Sequence, residues 1–470
     1  ALHRRYLKPG AIFVMITAEN STAMVMGALE YQPDAYLTKP FNKVTLKGRL
    51  DKLLEKKIAL KEIDQARDAG KHALVLRLCD EQIAANTRYA LTCMRTKAEL
   101  LEERGALTSA HEIYMSLAKE RPLPWALAGA ARTLIQQGNP RGARALLESV
   151  VKSLPNFVDA QDLLAQALVC IGEHKEAQQI LMEAIKRSPK AVQRQQKLGD
   201  VALINQDIPV ATRAFKQAVA QGRHSVFKQS DSYIKLAHCL TRNLGGSPVD
   251  DKRTTEEIQR VLHEVENDYK GDKQVAIRSL LAQADLKKTL KHTDEAETAL
   301  QGAANLLKSL DQQIPASVAI DVAEKFTLLG DTNSAKTILH AALKVHGDDP
   351  EFQNKYQQIL GEAIKQDEAR EQAIALNNSG TEAFQKGQHE AALKQFRQAV
   401  TLAPQNISIV LNTAQTLLDI YQTHHEEHDL IEECIRYLIA LQNISPEDKR
   451  YERYQALVRQ THDLKKEVKT

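Results

Sequence analysis

The chain has 470 residues and a mass of 52.5 kDa, more than one ordinary core organises, since single cores stop growing at about 250–300 residues. Hydrophobic residues at 43% and charged residues at 26% fit a soluble globular composition, while 5% aromatics and a combined Gly and Pro count of 34 are low for an all-β sandwich and shift the expectation to helix. Lys and Arg number 63 against 60 Asp and Glu, a net charge of +3 that argues against a strongly basic nucleic-acid-binding or membrane-surface protein, and no apolar run reaches the roughly 18–20 residues that span a bilayer.

The five cysteines, Cys79, Cys93, Cys170, Cys239 and Cys434, are odd in number, far apart and without a C-x-x-C pair. A disulfide framework or zinc ribbon is therefore not expected, and a reducing cytoplasm fits best. The opening ALHRRYLKPG resembles neither a signal peptide nor a start at an initiator Met, and reads as a chain entered in the middle of a domain.

Residues 1–57 have an α/β texture. AIFVMITAEN (11–20) is a short β-branched apolar run after Gly10, the pattern of a buried parallel strand. A short helix is expected over 21–31, with Ser21 as cap and Met24, Ala28 and Leu29 on one face. Gln32-Pro33-Asp34 breaks it, DAYLTKPF (34–41) reads as a second strand ended by Pro40, and 42–57 is amphipathic through Val44, Leu46, Leu50, Leu53 and Leu54. The order β-α-β-α is half of a doubly wound, flavodoxin-like domain. The last helix of this piece is expected to run unbroken through 43–69 into the next region.

From residue 58 onward strands give way to Ala- and Leu-rich amphipathic helices with a period near 34 residues. The frame is a small residue, an Ala twelve later, a large apolar residue four after that, a small one three further, and often a Pro. Ala98, Ala110, Tyr114, Leu117 and Pro122 fit it, as do Ala131, Ala143, Leu147, Val150 and Pro155, and Ala165, Ala177, Leu181, Ala184 and Pro189. Gly199, Ala211, Phe215 and Ala218 continue without the Pro; Ala323, Ala335, Leu339 and Ala342 give another copy; Gly380, Ala392, Phe396, Ala399 and Pro404 give the clearest. Between 231 and 304 the frame is degraded, with Ala237, then Ile258, Leu262 and Val265 after an inserted loop near 241–254, then Ala284, Ala296, Leu300 and Ala303. Each unit reads as two antiparallel helices. The small residue lets them approach, Gly138, Gly172, Gly330 and Gly387 occupy left-handed turns, and Pro closes the second helix. One unit cannot bury its own face, so units stack.

This pattern resembles the tetratricopeptide repeat family, most closely in NNSGTEAFQKGQHEAALKQFRQAVTLAPQN (377–406). The resemblance implies a mainly α chain, an α-solenoid of about eight or nine repeats that binds a protein or peptide on its concave face. Residues 58–90 are a connecting helix and marginal repeat with Gly70 at its turn, 91–445 the array, and 446–470 a polar capping helix. The pair ITAEN and AYLTKPF resembles the second half of a response-regulator receiver domain. That resemblance assigns Thr17 and Lys39 as contacts to a phosphoryl group, Pro40 to a tight turn expected cis, and Tyr36 to a switching aromatic. The acidic pair for Mg²⁺ and the acceptor Asp of that family have no counterpart in this chain, so no cofactor is expected in it and Mg²⁺ only with a complete receiver. Loss of the first half from the chain is favoured over a natural half-domain. A half-sheet also leaves a strand edge through which a homodimer could form.

His424, Glu427 and His428 match H-x-x-E-H, an inverse-zincin spacing. They fall at an expected inter-helix insertion with no third acidic ligand to name, so a charged loop is favoured and no metal site is assigned. Trp125, the only Trp, falls early in a first repeat helix on the side of the expected groove, as do Arg95 and Arg132. An aromatic anchor with Arg contacts suits a peptide groove, although a Trp packed on the neighbouring repeat is an equal reading. Asn378 and Asn412 hold repeat positions that often contact ligand backbone, but the basic partners of a carboxylate clamp are missing around them. Walker, Rossmann, G-x-S-x-G and Cys-His signatures are absent, so no enzyme is expected. The function expected is a cytoplasmic bacterial-type two-component response regulator, phosphorylated by a histidine kinase, with a protein-binding repeat output. Its rival is a constitutive scaffold whose receiver remnant serves dimerisation only.

Overall fold

The computed structural model describes residues 11–18, 33–120, 122–310, 314–423, 428–442, 444, 446 and 448–467. The helix expected over 21–31 and the pair His424 and Glu427, with the His428 side chain, lie outside the described residues. The chain divides into two compact units, Ala1–Cys239 and Leu240–Thr470.

The first unit opens with two strands, β1 (Val14–Thr17) and β2 (Ala35–Thr38), paired in parallel with Val14 opposite Ala35 and Thr17 opposite Thr38. The expectation of a buried first strand is corrected: Leu37 alone is buried among the strand residues, and Ile16 is 42% exposed. Two strands offer too little surface to enclose both faces. Helix α1 (Lys43–Ala59) follows, capped by Asn42, whose Oδ1 accepts from the Thr45 amide at 2.8 Å. It contains no buried residue, and Val44 and Ile58 are exposed.

The expected unbroken helix over 43–69 is also corrected. Gly48 lies inside α1 without interrupting it, and the break falls at Leu60, with α2 running over Lys61–Asp68. Leu60 leaves helical geometry (φ −100°, ψ 10°) and drops into the apolar cluster of Ile63, Ala66, Val75, Cys79 and Cys93. The chain turns there because the first repeat core captures this side chain.

Helices then alternate as α3 (His72–Ala84), α4 (Ala90–Glu103), α5 (Leu107–Glu120), α6 (Pro124–Gln136), α7 (Pro140–Ser153), α8 (Val158–Ile171), α9 (His174–Arg187), α10 (Val192–Ile204), α11 (Ile208–Gly222) and α12 (Ser230–Arg242). The second unit carries α13 (Pro248–Asp268), α14 (Lys273–Thr289), α15 (Thr293–Lys308), α16 (Ala316–Leu329), α17 (Thr332–His346), α18 (Pro350–Gln385), α19 (His389–Leu402), α20 (Ile407–Thr423), α21 (His428–Ala440) and α22 (Tyr451–Glu467).

Within each repeat the even-numbered helix comes first and the odd-numbered helix returns beside it. The sequence frame marks the packing. Ala98, Ala131, Ala165 and Ala323 are buried in first helices, and Tyr114, Leu147, Leu181, Phe215, Leu339 and Phe396 in second helices. Each fully buried Leu or Phe contributes about 1.5–3 kcal/mol relative to an exposed one. Gly172 and Gly330 end their helices with φ of 90° and 96°, the left-handed geometry that glycine adopts without a steric penalty. Prolines also start helices, a role beyond the closing one read from the sequence: Pro124, Pro140, Pro248 and Pro350 occupy first turns.

Two elements differ from expectation in the second unit. Residues 248–254, expected in a loop, open the 21-residue α13, capped by the Ser247 hydroxyl accepting from the Asp250 amide at 3.2 Å. Helix α18 runs 36 residues without interruption and serves two cores. Phe352, Tyr356 and Ile359 pack with α16 and α17, whereas Ala373 packs in the cluster of α19, α20 and α21. No helix among the described residues is long and apolar enough to cross a membrane.

Candidate partner-binding groove

Several pairs of consecutive first helices are tied by charge pairs across their shared face. In the first unit Arg67 of α2 pairs with Glu103 of α4 at 2.8 Å. Arg132 of α6 grips Glu102 of α4 with both Nε and Nη2, the latter at 2.8 Å. Arg194 of α10 donates from Nε and Nη2 to the two Asp162 oxygens of α8, each at 2.7 Å, and Lys235 of α12 reaches Asp200 of α10 at 2.6 Å. The second unit repeats the device with Arg278 and Asp321 at 2.8 Å, and more loosely with Lys325 and Asp285 at 3.9 Å.

A groove of about 510 Å³ opens on this face of the first unit, where α4, α6 and α8 come together. It gathers the three residues singled out by sequence, Trp125, Arg95 and Arg132. Trp125 is half-buried and meets the Tyr114 ring edge-on at 6.3 Å, which answers the alternative reading in part: the indole leans on its neighbour and still lines the groove. The Arg95 guanidinium lies 5.1 Å from the Trp125 ring centroid while its Nε donates to Glu99 at 2.7 Å.

Both arginines already have internal partners in the free chain. Arg95 is held by Glu99 on its own helix, and Arg132 by a Glu102 whose side chain is only 8% exposed. The Tyr114 hydroxyl donates to the same carboxylate at 3.1 Å. Hydrogen bonding to Glu102 raises the Arg132 pKa above its ordinary value, and burial together with the Glu102 charge raises that of Tyr114.

The lining residues not named from sequence include Glu102, Phe157 and Asp159. Asp159 stands in the first turn of α8, where an acid reads simply as complementing the helix dipole. Loss of water around its carboxylate raises its pKa, and Asp162 adds to the rise, against the opposing pull of Arg194, Arg132 and Lys197.

The other expected sites are placed as follows. Asn412 donates to the Asn377 side-chain oxygen at 2.9 Å, so Asn377, and not the exposed Asn378, faces it. The Lys39 amide donates to the Thr17 carbonyl at 2.7 Å, which brings those two residues to one end of the sheet. The Lys39-Pro40 peptide is cis. Tyr36 and Pro40 line a shallow depression of about 570 Å³ with Phe41 and Arg49, and neither Thr17 nor Lys39 lines it. Among the described residues no group of three His, Cys, Asp or Glu side chains could hold a metal ion. Burial and the adjacent Cys93 push the Cys79 thiol up to about 12, so it remains protonated.

Residues 101–167 and 134–200 match one tetratricopeptide repeat family model, and residues 373–406 match another. Those segments carry tetratricopeptide repeats. The matched segments contain the α6 and α8 walls of the groove and the Gly380–Phe396 contact. Among curated proteins none matches the sequence. Similar solved structures include a tetratricopeptide repeat protein from Parabacteroides merdae, 13% identical, with a TM-score of 0.41 over 58% of this chain and 97% of that one. MamA from Desulfovibrio magneticus RS-1 is 19% identical, with a TM-score of 0.32 over 38% of this chain and 97% of its own. The human IFIT1 dimer with m7Gppp-AAAA is 12% identical, with a TM-score of 0.37 over 84% and 87%.

Proposed function

We propose that this chain is a scaffold that holds a partner protein, and that the groove at α4, α6 and α8 is its docking point for an extended segment of that partner. The observation that carries this reading is Trp125, a half-buried indole lining an open groove whose polar neighbours are fixed in place by internal pairs. A large aromatic beside rigid charges loses little freedom on binding, which favours a binding hot spot over a catalytic one. The protein acts by holding partners and not by catalysis. A photocrosslinking residue at position 125, installed in the full chain in cells, tests this: adducts with a partner polypeptide are expected. Adducts formed only from a probe at the exposed Glu112 on α5 would move docking to another face.

A second reading concerns control, and the Thr17–Lys39 backbone contact favours it. On that reading the repeats are the output of a two-component response regulator, cytoplasmic, with a histidine kinase as phosphodonor and Mg²⁺ at a complete receiver. Acetyl phosphate and Mg²⁺ added to the full-length gene product should then give a base-labile phosphoryl adduct that changes partner capture. Failure to label leaves the constitutive scaffold, with the N-terminal piece available for homodimerisation.

A further inference from the structure

Charge pairs close the contact between α2 and α4, between α4 and α6, between α8 and α10, and between α10 and α12. Among the described residues no ion pair links α6 to α8, and the groove lies at that step. The three groove cations, Arg67, Arg95 and Arg132, each pair with a glutamate. Asp162, one turn along from Asp159, is taken by Arg194. Asp159 has no ion-pair partner among the described residues, and it lines a cavity whose aromatic residues include Trp125 and Phe157.

We infer that the groove receives an arginine or lysine side chain of an extended peptide, with Asp159 as its counter-ion and Trp125 and Phe157 along its aliphatic stem. The inference rests on the reading of this groove as a docking site. Charge complementarity decides the occupant. A carboxylate entering here would meet Glu99, Glu102, Glu103 and Asp159, while the lining arginines Arg67, Arg95 and Arg132 are each paired and Lys197 of α10, which also acts on Asp159, does not line the groove. A cation supplies the missing pair without disturbing any existing one, and its hydrocarbon stem covers apolar ring surface. Loss of water around Asp159 strengthens such a pair relative to one on an open surface. The partner is therefore a basic extended segment.

Trp125 is the only tryptophan of the chain, so its fluorescence reports this groove alone. Pools of random nonapeptides with the central residue fixed as Arg, Lys, Leu or Glu are titrated into the full chain, into Asp159→Asn and into Asp159→Arg. The Arg and Lys pools should shift Trp125 emission saturably, with apparent affinity at least about tenfold above the Glu pool. Asp159→Asn should erase that preference and Asp159→Arg should invert it, while Glu112→Gln leaves it intact. Asp159→Asn removes a charge that burial and the neighbouring Asp162 both disfavour, so its melting temperature should equal or exceed that of the parent, which separates a binding defect from misfolding. A preference for Arg and Lys that survives Asp159→Asn overturns the inference. So does equal response to the Leu or Glu pools, a result that keeps the groove as a docking site. No response from any pool removes both.

Discussion

Gly199 of α10 lies beneath the ring of Phe215 of α11: a methyl group built on Gly199 would stand 2.5 Å from the Phe215 Cζ. The same relationship recurs in the second unit, where a Cβ on Gly380 would meet Phe396 Cε1 at 2.8 Å. Alanine favours a helix over glycine by about 1 kcal/mol, whereas forcing a methyl into a packed core costs about 1–3 kcal/mol. At so close an approach overpacking outweighs the helix gain, so Gly199→Ala should lower stability by about 1 kcal/mol, and by no more than about 2 kcal/mol, in a denaturant titration. Adding Phe215→Leu should recover part of the loss, and independent, additive effects of the two changes would sink the packing account.

Arg194 is 3% exposed and bound by both Asp162 oxygens. Asp162→Asn removes the countercharge of a buried guanidinium and should cost about 3 kcal/mol, while Arg194→Met removes the charge itself and should cost about 1 kcal/mol. The order of the two midpoints is the check, and equal midpoints would show that water reaches Arg194 when its partner is gone.

Asp367 of α18 accepts from the Thr332 hydroxyl at 2.6 Å and from Lys336. These bonds hold its pKa below the ordinary value of 3.8. A carboxyl depressed on folding adds stability above its unfolded pKa and loses it as pH falls through the folded value. Asp367→Asn should therefore melt lower at neutral pH, by about 0.5–1 kcal/mol for a pair open to solvent. The gap should close in acid below the ordinary aspartate range, and a gap that persists at low pH would point to packing instead.

Leu60 occupies the break between α1 and α2 with its side chain 7% exposed. Leu60→Ala should cost about 2 kcal/mol or more through the cavity it leaves. Hydrogen exchange should quicken first in α2 and α3, whose residues share that cluster, whereas faster exchange confined to α1 would mean that Leu60 serves the preceding helix.

The repeat frame was legible because a single contact, small against large, imposes it: Ala98, Gly199 and Gly380 had to be small wherever Tyr114, Phe215 and Phe396 were large. Trp125, Arg95 and Arg132 were legible as neighbours for the same reason, since a fixed period sets which side chains share a face. Their partners were harder to see. Glu99 is one turn from Arg95, a pair open to sequence inspection, but Glu102 lies thirty residues before Arg132 and meets it only through stacking. Asp159 looked like a helix-start acid because the missing cation is a property of the neighbouring helices. The turn at Leu60 carries neither Pro nor Gly, so nothing local announced it.

The 36 residues of α18 share one hydrogen-bonded rod between two cores, with Phe352 and Tyr356 in one and Ala373 in the other. In an α-helix each added residue turns whatever follows by about 100°. A single-residue insertion near Gln366 would therefore swing Ala373 and Gly380 away from their seats even though the inserted side chain touched nothing. Gene variants that change the length of this segment should be purged more strictly than those that change its exposed letters, and a graft of the last repeats onto another scaffold has to preserve helical phase across the joint.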